Sequence, residues 1–131
     1  MYIPDGMAQV APYIFAKNAD AYMDHIIAAL GGVEAGRSKM PNGKLANGQV
    51  RFGDASIMIS ECDGRFTASQ CAMYLYVEDA DAAMAQAIEH GMEKIMDVAD
   101  QDYGDRQGGV KDKVGNIWWI SQRLVDAPYD D

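Results

Sequence analysis

Few side chains in this sequence could do acid, base or nucleophilic chemistry, and most stand where a scaffold would place them. Its only histidines, His25 and His90, fall in helical stretches. His90 lies in a last helical turn, where a cation complements the helix dipole, and His25 occupies a packing position on the first helix. Cys62 and Cys71 are too few for a disulfide framework and lack metal-finger spacing. Cys71 is expected on the helix side of its strand with no strand histidine nearby, so no Cys–His nucleophile pair forms. The remaining candidates cluster at Tyr103-Gly104-Asp105-Arg106, just after Asp102. In a loop at the mouth of a cleft, Tyr103, Asp105 and Arg106 would be the catalytic groups, with an aspartate as general base. Pairing of Arg106 with Asp105 or Asp112 is the structural use of the same residues. Gly108-Gly109 lacks a phosphate-binding pattern.

The scaffold follows from an internal repeat. Compared with the residue 61 positions later, the segment 9 to 60 shows 12 identities, well above the ~4 that ordinary composition produces, so a duplication is the economical explanation. Gln9, Ala11 and Tyr13 return as Gln70, Ala72 and Tyr74; Ala19-Asp20-Ala21, Met23 and Ile27 return as Ala80-Asp81-Ala82, Met84 and Ile88; Gly43, Gly48 and Ile59-Ser60 return as Gly104, Gly109 and Ile120-Ser121. Each copy reads as βαβββ. Strands are expected over 9–16, 34–40, 44–52 and 55–61, and again over 70–77, 93–98, 107–111 and 116–123. Asn18 and Asp79 stand at helix N-caps. The first helix has the stripe Met23, Ile26, Ile27, Leu30 and stops at Gly31; the second has Met84, Ala87, Ile88 and stops at Gly91.

The expected class is α+β: two tandem βαβββ units forming a curved mixed sheet around a cleft. One domain spans 1–131, with repeat 1 at about 9–61, a linker at 62–69, repeat 2 at about 70–123 and a tail at 124–131. Strand alternation sorts the faces. Val50, Ile57, Ile59, Leu75, Trp118 and Ile120 take the helix side. Tyr13, Phe15, Asn47, Gln49, Arg51, Met58, Ser60, Tyr74, Tyr76 and Trp119 line the cleft, with Ser56 beside them and Tyr103 and Arg106 reaching in from their loop. A mostly apolar wall with a few orienting polar groups suits a small molecule.

With 11 basic against 20 acidic residues the chain carries −9, which repels nucleic acid and anionic membranes. The N-terminus lacks a basic region followed by an apolar run, and no apolar stretch is long enough to span a bilayer. Neither nucleic acid nor membrane is expected as a partner, and the expected location is the cytoplasm.

The two βαβββ copies, Pro12-Tyr13, Asn18-Ala19, Gly31-Gly32, Gly53-Asp54, and the stretch from Tyr103-Gly104-Asp105-Arg106 through Asp112, Gly115 and Trp118-Trp119 resemble the vicinal oxygen chelate superfamily of glyoxalase I, extradiol dioxygenases and bleomycin-resistance proteins. The resemblance is closest to its PhnB-like branch and covers Val10 to Arg123. It implies a homodimer. It also implies four metal-ligand positions, here Ala11, Met58, Ala72 and Trp119, none of them a hard-metal ligand. The branch's third-strand histidine is Asn47 here, and Lys113-Val114 replaces a Pro-Phe pair. No metal and no cofactor are therefore expected. The expected function is binding of a small, partly aromatic molecule for sequestration or transport. The alternatives are an enzyme of lyase, isomerase or dioxygenase type with non-standard or no metal ligands, and a structural or regulatory dimer.

Overall fold

The computed structural model describes residues 2–129. The chain divides between Ser69 and Gln70 into two compact units. The first contains β1 (Tyr13–Ala16), α1 (Ala19–Leu30), β2 (Val33–Lys39), β3 (Leu45–Phe52) and β4 (Ala55–Glu61). The second contains β5 (Ala72–Tyr76), α2 (Ala80–Glu89), β6 (Glu93–Asp100), β7 (Asp105–Lys111) and β8 (Ile117–Arg123). Each unit forms its own mixed four-stranded sheet, in the orders β1-β4-β3-β2 and β5-β8-β7-β6. The final strand thus lies in the middle, parallel to the first strand and antiparallel to the third.

The opening strands are shorter than the apolar runs that announce them. Pairing in the first unit begins with the Pro12 carbonyl, which accepts from Met58 N–H at 2.9 Å; proline has no N–H with which to extend the ladder.

One face of each sheet is covered by its helix. In the first unit Ile14, Ala16, Leu45, Val50, Ile57 and Ile59 are buried with Met23 and Ile26 of α1. In the second, Val110, Trp118 and Ile120 are buried with Met84 and Ala87 of α2. Glycine makes the close approach possible: a Cβ on Gly48 would stand 2.5 Å from Met23 Sδ, and one on Gly108 2.7 Å from Met84 Cε. Ile88 departs from expectation, being exposed. The buried stripe of α2 runs through Ala80, Met84 and Ala87, one step round the helix from it.

Asn18 does not cap α1 with its side chain. It adopts a left-handed conformation (φ 58°) with no side-chain cap, and the Glu61 carboxylate accepts from the N–H groups of Asn18 (3.0 Å) and Ala19 (2.9 Å). In the second unit Asp79 does cap, accepting from Ala82 N–H, while Gln122 Oε1 accepts from Ala80 N–H at 3.0 Å. Glu61 is the final residue of β4 and Gln122 the penultimate residue of β8, so each last strand secures the start of its helix.

The repeat is not in constant register. In β2–β3, Ser38 pairs with Asn47 and Lys39 with Leu45, leaving Ala46 as a bulge whose carbonyl accepts from Ser60 Oγ at 2.9 Å. In β6–β7 the neighbouring pairs Ala99–Gln107 and Asp100–Arg106 follow without a bulge on β7. Val50 faces Ile57 and Val110 faces Trp118, so Gly48 corresponds to Gly108 and the identity between Gly48 and Gly109 does not mark equivalent places.

Candidate functional site

The face of the first sheet turned away from α1 carries the row predicted for it. Tyr13 and Phe15 stack at 4.9 Å between ring centroids, and Phe66, from the segment after β4, stacks on Phe15 at 5.6 Å. Asn47 Nδ2 donates to Tyr13 Oη (3.1 Å), and Gln49 Nε2 donates to Asn47 Oδ1 (3.3 Å). Met58 lies beside both Tyr13 and Gln49 in the ladder. Ser60 and Ser56 are occupied with backbone carbonyls, those of Ala46 and Gly6. Arg51 Nε donates to the Gly53 carbonyl at 2.7 Å, and its guanidinium lies against Gly6. Asp63 holds Phe66 in place by accepting from the N–H groups of Arg65 and Phe66 at 2.7 Å.

The corresponding face of the second sheet forms a pocket of about 290 Å³ lined by Tyr74, Met96, Gln101, Tyr103, Gln107 and Trp119. Trp119 faces Gly109 in the ladder, and a Cβ there would stand 2.5 Å from its Cζ3 and 2.8 Å from its Cε3; the six-membered ring of the indole occupies the space that a side chain at 109 would need. Trp118, one residue earlier, points into the core, where its Nε1–H donates to Asp112 Oδ2 at 2.9 Å. Gln107 takes the place that Asn47 has in the first unit, and its Oε1 accepts from the Tyr103 hydroxyl.

Beside the pocket stands Asp105, at 0% exposure. Its Oδ2 accepts from the hydroxyls of Tyr74 (2.5 Å) and Tyr129 (2.6 Å), and its Oδ1 accepts from Arg123 Nη1 (2.9 Å). Burial pushes this carboxyl up, but the two phenols and the guanidinium together pull it below the usual aspartate range. Burial and the Asp105 carboxylate push the Tyr74 phenol above its ordinary value. Tyr103 is raised by burial and by the charges of Asp105 and Asp102. These are stable hydrogen-bonded states: Asp105 is an acceptor already filled by donors, and neither phenol is activated as a base or nucleophile.

Arg106 does not reach this face. Strand alternation places it opposite Asp105 and Gln107, where it bridges Asp81 of α2 (2.9 and 3.1 Å) and Asp100 (2.9 Å). It corresponds to Leu45, which is buried on the helix side of the first unit. The expected partners Asp105 and Asp112 are engaged elsewhere, Asp105 by Arg123 and Asp112 by Trp118 and the turn to Asn116. Of the three candidate catalytic groups, the structure brings Tyr103 and Asp105 to the Tyr74 side and leaves Arg106 on the other.

Cys71 is exposed, with Sγ 3.5 Å from Met73 Sδ, and burial followed by the Asp112 charge raises its thiol. Both shifts disfavour the nucleophilic thiolate.

No family model matches the chain. An uncharacterized Mycobacterium bovis protein, Mb0911c, is 26% identical over 133 residues, covering 93% of this chain and 88% of that protein. Among solved structures, a glyoxalase-related enzyme from Clostridium phytofermentans superposes with a TM-score of 0.72 at 16% identity, covering 90% of this chain and 96% of that one. A glyoxalase/bleomycin resistance protein from Streptomyces sp. CB03234 superposes with a TM-score of 0.70 at 19% identity, over 88% and 100%. The fold is the glyoxalase/bleomycin-resistance fold. TnmS3, described as an antibiotic binding protein from the same Streptomyces, shares it with a TM-score of 0.67 at 19% identity, over 88% of this chain and 97% of that one.

In the glyoxalase/bleomycin-resistance fold the expected metal-ligand positions fall at Ala11, Met58, Ala72 and Trp119. This donor set does not fit a divalent metal: two methyl groups, a thioether and an indole provide no hard donor. Among the described residues no group of three or more His, Cys, Asp or Glu is placed to hold an ion, and no helix is long and apolar enough to cross a membrane.

Proposed function

We propose that the chain is a vicinal oxygen chelate protein of the PhnB-like branch that binds a small, partly aromatic molecule without a metal, for sequestration or transport. The observation that carries this reading is the pocket of about 290 Å³ in which Trp119 packs against Gly109, edged by Tyr74, Tyr103 and the amides of Gln101 and Gln107. Flat aromatic walls with a few polar groups hold planar ligands by stacking and orient them by hydrogen bonds. The row of Tyr13, Phe15, Asn47, Gln49 and Met58 offers a second platform of the same character. The unsuitable donor set supports the metal-free reading, and the antibiotic-binding description of TnmS3 is in keeping with it. An enzyme relying on Tyr103, Asp105 or Arg106 is the weaker reading, because Asp105 is filled by three donors and Arg106 belongs to the helix side. We further propose a cytoplasmic homodimer, which light scattering at micromolar concentration tests; a monomer contradicts it.

The site is tested by titrating the protein with planar aromatic compounds and following tryptophan emission. Trp118, at 1% exposure, is a buried internal reference, so quenching arises at Trp119 and disappears in Trp119→Phe. Saturable binding that is unaltered in Trp119→Phe and in Tyr74→Ala places the ligand elsewhere and overturns the proposal. A stoichiometric transition metal in protein purified without chelators overturns its metal-free part.

A further inference from the structure

Tyr129 belongs to the tail after β8, all of whose described residues are exposed. Its hydroxyl nevertheless donates to the wholly buried Asp105 carboxylate at 2.6 Å. The Tyr76 hydroxyl lies 2.6 Å from it and acts as donor, since the Tyr129 proton is committed to Asp105. Arg123 Cζ lies 4.1 Å from the centre of its ring, while Arg123 Nε and Nη2 grip the Ala127 carbonyl at 3.2 and 2.7 Å and Nη2 reaches that of Pro128 at 3.2 Å. A buried anionic acceptor, a second hydroxyl and a guanidinium face together form a complete receptor for a phenol. The second phenol on the same Asp105 oxygen, Tyr74, also lines the pocket.

We propose that the Tyr129 seat is a binding site for the phenolic group of a ligand, which the chain's own tail fills until the ligand displaces it. This deepens the reading of this face as a small-molecule site and rests on it. The phenol of the ligand donates to Asp105 Oδ2 and accepts from Tyr76, its ring lies against Arg123, and the rest of the molecule extends past Tyr74 over Trp119. The tail acts as an internal competitor, so the apparent affinity is the intrinsic affinity reduced by the fraction of molecules with the seat open.

The test uses p-cresol and toluene as probes with the full chain, its Tyr129→Ala and its Tyr129→Phe variants, followed by calorimetry. Tyr129→Ala gains about tenfold or more in p-cresol affinity, the effect of one hydrogen bond to a charged acceptor, and gains no comparable affinity for toluene. Tyr129→Phe, which keeps the ring against Arg123 but loses the hydroxyl's bond to Asp105, competes less well than the parent and gives a p-cresol affinity between those of the parent and Tyr129→Ala. Equal p-cresol affinity in Tyr129→Ala and the parent, or an equal gain for toluene, overturns the proposal. In the parent, Tyr129 ring resonances move toward those of free tyrosine as p-cresol saturates; resonances that stay fixed overturn it without any substitution. Binding of planar aromatics that depends on Trp119 but not on Tyr129 removes the seat alone, whereas loss of all Trp119-reported binding removes the broader reading.

Discussion

Replacing Asp105 tests the polar organisation of the second unit most directly. In Asp105→Ala the hydroxyls of Tyr74 and Tyr129 lose their acceptor, and Arg123, whose side chain is 21% exposed, loses its buried counter-ion. Hydrogen bonds to a charged group contribute about 1.5–3 kcal/mol each. Water can reach Arg123 and Tyr129 once the tail loosens, so the expected cost is about 3–4 kcal/mol, within the range for breaking a buried ion pair. For a chain of this size that lowers Tm by about 10–15 °C. Asp105→Asn keeps one acceptor and loses the charge, at a cost of about 1–2 kcal/mol. The pH dependence has a definite sign. The folded carboxyl is held below its ordinary 3.8, so its stabilisation is full above that value and is lost as pH falls through the folded pKa. Urea unfolding of the parent therefore weakens steeply below pH 4, and Asp105→Asn flattens that limb. What acid limb remains arises from Asp20, Asp81 and Asp97, which are lowered by Arg37, Arg106 and Lys94 respectively, and from Asp63, lowered by the backbone N–H groups of Phe66 and Arg65; the part due to the three exposed ion pairs fades in salt. Parental stability in Asp105→Ala, or an unchanged acid limb in Asp105→Asn, refutes the role assigned to Asp105.

Glu61→Ala removes both acceptors at the start of α1 and costs about 1–2 kcal/mol in urea unfolding; a neutral result would return the cap to Asn18. Gln122→Ala, which removes one uncharged acceptor, costs about 0.5–1 kcal/mol. Gly109→Ala introduces a methyl 2.5 Å from Trp119 Cζ3, lifts the indole from β7 and costs about 1–3 kcal/mol, with a shift in Trp119 emission; unchanged emission and stability would show that the ring does not need the glycine. Gly48→Ala drives Met23 from the strand at a similar cost. It couples to Met23→Ala with less than additive loss, which a double-mutant cycle measures.

The order of elements was legible because duplication doubles every signal: Tyr13 and Tyr74, Met23 and Met84, and Ile59 and Ile120 each hold equivalent places. What escaped was the sheet's local register. Gly31 caps the C-terminus of α1 and His90 that of α2, 59 positions apart; Gly43 and Gly104 turn 61 apart, and Gly48 and Gly108 lie under their methionines 60 apart. Shifts of one or two residues that cancel leave the overall offset near 61, so an ungapped comparison passes over the Ala46 bulge and pairs Gly48 with Gly109. Arg106 was misplaced for a related physical reason. Its loop reading put it at a cleft mouth, whereas β7 begins at Asp105 and alternation sends the next side chain to α2. Phe66 and Tyr129 were invisible as site residues because an aromatic in a polar connection has no period, and only the fold shows which ring it returns to. Glu61 and Gln122 stood 61 apart as a carboxylate and an amide, a chemical equivalence that a count of identities ignores.

The central position of the last strand has a consequence for how each unit comes into being. β1 has no strand neighbour until β4 enters between it and β3, and the start of α1 waits for Glu61, 42 and 43 residues further on. A growing chain cannot therefore complete its first unit in order of synthesis. The opening strand and helix remain uncommitted until the sequence through Glu61 is available, and closure then orders the sheet and secures the helix start in one event. The second unit repeats this with β8 and Gln122, so each half acquires its native state by the arrival of its final seven-residue strand.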